Sequence, residues 1–211
     1  MAISLQKGQT INLDKNQNDL SQITVGLGWD IRKEKPKGLL GSLLGGSKSE
    51  EDYDLDAIAF LLDENDKVRN LGDKLVGGDV VFFNSLQHPS GAIWLTGDNR
   101  TGEGEGDDEQ IIVKLNSIEA RISKILFIVT IYKGCEKGQH FGMVENAFIR
   151  AVDAKGQEIA RYNISSDPTY SGKHSIIFAE AYRKGDGWKF RAIGEPKDTD
   201  SFVEILKQYA S

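Results

Sequence analysis

A chain of 211 residues with 39 % apolar composition suits one well-cored domain. Its formal net charge of −6, with no basic stripe, argues against nucleic-acid binding through a general basic field and against unaided docking on anionic membrane. One cysteine, Cys135, rules out an internal disulfide framework and fits a reducing compartment.

The N-terminus lacks a basic region followed by an apolar one, and no run of about 18 apolar residues occurs, so a cytoplasmic, soluble protein is expected. In chain order, short β-prone runs are separated by turn chemistry such as "DEND", "HPSG", "DAKGQ" and "KGDG". Strands are predicted at 3–5, 10–13, 22–29, 55–62, 79–83, 92–96, 110–115, 124–132, 144–153, 158–164, 174–183 and 188–193. The short turns and the absence of long helical patterns predict antiparallel pairing. "ILFIVTI" is apolar on both faces, which suits two layers with extra cover. The expected fold is mostly β: an antiparallel two-sheet β-sandwich with few short helices and a C-terminal helix, a single domain over 1–211.

"SFVEILKQYA" is the clear helix. Ser201 and Glu204 have capping-box spacing, and Phe202, Ile205, Leu206 and Tyr209 form one apolar stripe. "NSIEARIS" offers one further helical turn. Residues 33–52 break the strand rhythm and read as a Gly/Leu/Lys insertion. It is either a long loop or a short amphipathic turn in which Leu39, Leu40, Leu43 and Leu44 dock on a partner, a membrane surface or the domain itself.

"TGDNRTGEGEGDDE", residues 96–109, holds six carboxylates and four glycines. Self-repulsion and glycine entropy make such a segment costly. Either it is a solvated loop, or it wraps a cation. Carboxylates with glycine-released carbonyls suit Ca²⁺, which takes about six to eight hard oxygens in flexible geometry. Mg²⁺ needs fewer carboxylates, and Zn²⁺ would want His or Cys. Asp98 and Glu109 have the twelve-residue EF-hand span, but Arg100, Gly102 and Glu103 break its interior pattern. Asp30, Asp54, Asp56 and Asp79 sit at strand ends, where they either cap turns or add to the rim.

The stretches "VGLGWD", "DLDAIAFLLDENDKV", "TGDNRTGEGEGDDE", "FIVTIYKG…GQHFGMVENAFIR", "ARYNIS" and "FAEAYRKGDGWKFRAIG" together resemble the TerD family of tellurium-resistance and general-stress proteins. The match runs in order along nearly the whole chain. The resemblance implies a cytoplasmic β-sandwich binding Ca²⁺ in an acidic apical region, two ions close together. By position, Asp98, Asn99, Glu103, Glu105, Asp107, Asp108 and Glu109 match the family's acidic motif, Asp54 and Asp56 its "DLDA", and Asp30 its "GWD". It further implies partners among other stress-operon proteins, including at the inner-membrane surface. The Gly-rich insertion is similar to that of the TerZ branch.

Catalytic chemistry is thin. His88, His140 and His174 are the histidines, and Cys135 stands five positions before His140. The pair is compatible with a dyad, a redox or metalloid contact at Cys135, or an inert thiol. A non-catalytic Ca²⁺-binding interaction module is therefore expected. A metal-dependent phosphate-ester or nucleotide hydrolase, or a cyclic-nucleotide-binding protein, is the alternative.

Overall fold

The computed structural model describes residues 2–14, 16–31, 53–96, 106–164 and 168–210. Among these residues twelve strands form two six-stranded sheets. They are β1 (Ile3–Ser4), β2 (Thr10–Leu13), β3 (Ile23–Ile31), β4 (Leu55–Leu62), β5 (Val80–Val81), β6 (Ile93–Thr96), β7 (Glu109–Val113), β8 (Lys124–Ile131), β9 (Val144–Val152), β10 (Glu158–Asn163), β11 (Ser175–Lys184) and β12 (Gly187–Lys197). The first sheet runs β1-β10-β9-β3-β7-β6 and the second β2-β12-β11-β8-β4-β5. Every pairing is antiparallel except that of β1 with β10, which is parallel. The α-helices among the described residues are α1 (Gly134–Lys137) and α2 (Phe202–Leu206). The helical turn expected in "NSIEARIS" is a 3₁₀ turn at Leu115–Ser117.

Strand alternation explains both apolar faces of the second sheet. Ile125, Phe127, Val129 and Ile131 of β8 and Leu55, Ala57, Ala59 and Leu61 of β4 enter the main core between the sheets. Leu126 and Ile128, with Ile58, Phe60 and Leu62, turn outward into a second core. The helix α2 covers that core with Ile205 and Leu206, and Phe202 and Tyr209 pack against it. Tyr209 meets the Phe60 ring edge-on at 6.0 Å. The apolar stripe therefore docks as its spacing predicts.

The capping box does not form. The side chain of Ser201 makes no cap bond; its carbonyl accepts the Glu204 N–H at 3.1 Å, and its own N–H donates to Thr199 Oγ1 at 3.0 Å.

Candidate functional site

The site begins with why β3 carries glycines. Val25, Leu27 and Trp29 fill the main core, so Gly26 and Gly28 fall on the outer face at period two. With no side chains there, the chain leading into β7 can lie against the strand. A Cβ on Gly26 would stand 2.1 Å from Asp107 Oδ2, and one on Gly28 would stand 2.8 Å from the Gly106 carbonyl. Gly106 itself takes φ +120°, a region closed to residues with a Cβ. Gly26→Ala should therefore expel Asp107 and cost about 1–3 kcal/mol. Chemical denaturation measures it, and an unchanged midpoint would mean that the segment packs elsewhere.

Pairing continues past the strand end. Leu27 stands opposite Glu109, and the Asp108 N–H donates to the Leu27 carbonyl at 2.7 Å. The Trp29 N–H returns a bond to Asp108 Oδ2 at 2.9 Å. Burial raises the Asp108 pKa; the bond from Trp29 opposes that, and the Asp30 and Asp107 charges add to the rise. Asp30 is exposed and accepts Asn146 Nδ2 at 2.7 Å. Asp107 accepts Arg150 Nε at 2.7 Å and Gln110 Nε2 at 3.3 Å.

Glu109, only 2 % exposed, reaches across to the second sheet and accepts the Ala57 N–H. It ties the two layers together at the rim. Asp56 is buried on β4 opposite Thr130, and its neighbours Leu55 and Ala57 enter the main core, so it projects to the opposite side of the strand. Asp54 precedes β4, and its carbonyl accepts the Tyr132 N–H at 2.8 Å.

The described carboxylates thus share one end of the sandwich, built by the end of β3 and the starts of β4 and β7. They divide into Asp30, Asp107 and Asp108 on the first sheet, Asp54 and Asp56 on the second, and Glu109 between. Asp98, Asn99, Glu103 and Glu105 lie outside the described residues, as does the 33–52 insertion. Among the described residues no group of three or more His, Cys, Asp and Glu is placed to hold a metal.

Asp79 is a different matter. Of the two roles open to a strand-start aspartate, a turn cap or a rim group, it fits the rim least, being fully buried at the head of β5. Arg121 Nη1 and Nη2 each reach it at 2.8 Å, the Asn70 N–H at 2.9 Å and His88 Nε2 at 3.1 Å. Burial would raise its pKa, but the bonds from His88, Arg121 and Asn70 hold the carboxyl far below the usual range. The backbone N–H of Ser90 points at His88 Nδ1 at 3.2 Å, so Nδ1 is the acceptor and Nε2 carries the proton.

Ser90 Oγ also lies 2.7 Å from Nδ1, giving a Ser–His–Asp order. The amides of this turn are already committed, however. The Ser90 N–H goes to Nδ1, the Gly91 N–H to the His88 carbonyl and the Ala92 N–H to Ser90 Oγ. Arg121 neutralises the carboxylate. The array is a turn lock, with no amide pair of that turn left for an oxyanion.

Cys135 is exposed on α1, and its N–H donates to Asp200 Oδ2 at 3.0 Å. Partial burial and the nearby Asp200 and Glu204 carboxylates push the thiol pKa up, which disfavours the nucleophilic thiolate. His140 Nδ1 accepts the Gly142 N–H at 3.1 Å. No helix among the described residues is long and apolar enough to cross a membrane.

The TerD domain family matches residues 1–209. The chain is 57 % identical to tellurium resistance protein TerX of Serratia marcescens, over 99 % of this chain and 100 % of that protein. It is 41 % identical to stress response protein SCP2 of Bacillus subtilis (strain 168), over 99 % of this chain and 100 % of that protein. The crystal structure of a homologue of telluride resistance protein (TerD) from Streptomyces coelicolor A3(2) shares its fold. The TM-score is 0.62 at 21 % identity, over 90 % of this chain and 98 % of that one. With the family matched from end to end and the sandwich shared, the chain belongs to the TerD family, whose similar members bear tellurium-resistance and stress-response names.

Proposed function

We propose that this protein is a non-catalytic, Ca²⁺-binding stress-response module that takes two Ca²⁺ ions at the acidic end of the sandwich. The observation that carries this reading is the setting of Asp108. It is a part-buried carboxylate at the mouth of the six-carboxylate stretch that accepts the Trp29 N–H and stands in the field of the Asp30 and Asp107 charges, beside the slot at Gly26 that Asp107 fills. Charge held there at neutral pH is unfavourable until a cation offsets it.

The donors suit Ca²⁺ in kind, being hard oxygens. The ligands are drawn from Asp98, Asn99, Glu103, Glu105 and Asp108, with Asp30, Asp54, Asp56 and Glu109 along the rim. Metal bound there would neutralise and order the segment, which then presents a surface to other stress-operon proteins in the cytoplasm or at the inner-membrane face. Nothing among the described residues favours the hydrolase or cyclic-nucleotide reading. Thermal melting of chelator-stripped protein with and without Ca²⁺ tests the proposal. A Ca²⁺-dependent rise in Tm supports it, and identical melts contradict it.

A further inference from the structure

Asp107 sits among the acidic residues in sequence but is paired with an arginine in the fold. Its side chain is 1 % exposed. Arg150 takes Oδ1 and Gln110 takes Oδ2. The second arm of Arg150 holds Glu158 at 3.1 Å, and Glu158 is held in turn by Arg161 Nη2 at 3.0 Å. The Arg161 guanidinium lies 3.9 Å over the Phe148 ring. This chain of contacts crosses the outer face of the first sheet from the head of β7 to β10. Gly26 supplies the slot that lets Asp107 reach it, since any Cβ there would overlap the carboxylate.

A divalent cation at Asp107 would have to displace a guanidinium that already neutralises it, or accept that like charge at contact distance. Asp108, the next residue, faces the other way electrostatically. It accepts the Trp29 backbone N–H at 2.9 Å and stands in the field of the Asp30 and Asp107 charges. We infer that Asp107 is the anchor of the acidic loop rather than a cation ligand, a positioning residue that Arg150 clamps into the Gly26 slot so that Asp108 and Glu109 enter β7 in register. The inference deepens the Ca²⁺ reading and rests on it for the division of roles, but the clamp itself stands on metal-free contacts.

The experiment has two arms on the full chain. In the first, Ca²⁺ is titrated calorimetrically into chelator-stripped wild type, Asp107→Asn and Asp108→Asn. The amide oxygen introduced by Asp107→Asn still accepts from Arg150, so that variant should weaken binding by less than about threefold with unchanged stoichiometry, whereas Asp108→Asn should weaken it about tenfold or more. An equal loss in both variants would make Asp107 a ligand and overturn the inference.

In the second arm, Asp107→Ala, Arg150→Ala and the double variant are melted without metal. Asp107→Asn and Arg150→Gln replace them if the alanine forms do not fold. The anchor predicts that the double variant melts no lower than the worse single; additive losses would overturn it. If wild type binds no Ca²⁺, the metal reading falls, and the melting cycle still decides the clamp.

Discussion

Arg121→Met should lower stability by about 3–5 kcal/mol, the usual cost of stripping the partner from a buried charge. Asp79 has no exposure at all, while the Arg121 side chain is 42 % exposed. Removing the arginine therefore strands the carboxylate, whereas removing the carboxylate leaves a guanidinium that can turn to water. Asp79→Asn should accordingly cost less than Arg121→Met, because the amide oxygen can still accept from His88 or from the Asn70 N–H. In a domain of this size the Arg121→Met loss corresponds to a fall in Tm of about 6–20 °C.

The effect also has a pH signature. A carboxyl held below its ordinary value contributes its full stability above the unfolded pKa, near 3.8, and loses it as pH falls toward the folded value. Removing Arg121 brings the folded pKa back toward ordinary, so acid unfolding should move to higher pH. Urea melts from pH 7 down to pH 2 would read both effects. A variant within 1 kcal/mol of wild type, with an unmoved acid limb, would mean that Asp79 is satisfied without its bidentate partner.

Ca²⁺ at a hundredfold excess over its Kd should stabilise the protein by about 2.7 kcal/mol for each independent site. That corresponds to a rise in Tm of about 5–10 °C per site. Asp108→Asn should act in two opposite directions. Without metal it removes a part-buried charge that Asp30 and Asp107 oppose, while the new amide still accepts from the Trp29 N–H, so the stripped variant should melt above stripped wild type. The sign follows from linkage. The raised pKa means that the folded state binds the proton more tightly than the unfolded one, so stability declines as pH climbs through that window. With metal, the variant should lose most of the Ca²⁺-dependent gain. A more stable apo form combined with a lost ligand response is the trade expected of a site strained to bind. A stripped Asp108→Asn protein that melts below wild type would show that the carboxylate is content without a cation.

The strand pattern was legible because period-two alternation and turn residues are local signals. All twelve predicted runs overlap a strand. β12 nevertheless extends to Lys197, beyond the predicted end at 193, through Gly194 and Pro196. Its neighbour β2 pairs only with Trp188–Arg191, so the later residues have a free edge where a missing N–H costs nothing. The parallel β1–β10 pair was not legible either, since nothing in two residues of strand encodes the direction of a partner more than 150 positions away.

The sequence singled out the carboxylates of 96–109 and the strand-end aspartates Asp30, Asp54 and Asp56, and those of them that are described lie at one end of the sandwich. The role of each acid was not. Asp79 shares its strand-start position with Asp56, yet its fate is set by Arg121, 42 residues on, and by the His88 turn. Asp107 and Asp108 are neighbours in sequence and differ in whether Arg150, on β9, can reach them. Charge spacing records density, and only the fold assigns counter-ions.

The measurement that tests the central claim most directly is calorimetric titration of chelator-stripped protein with Ca²⁺, with Mg²⁺ run alongside. Two Ca²⁺ bound per chain at micromolar Kd, with Mg²⁺ markedly weaker, is the predicted result. No binding of either ion below millimolar concentration would contradict it and leave the acidic stretch without a metal-binding role.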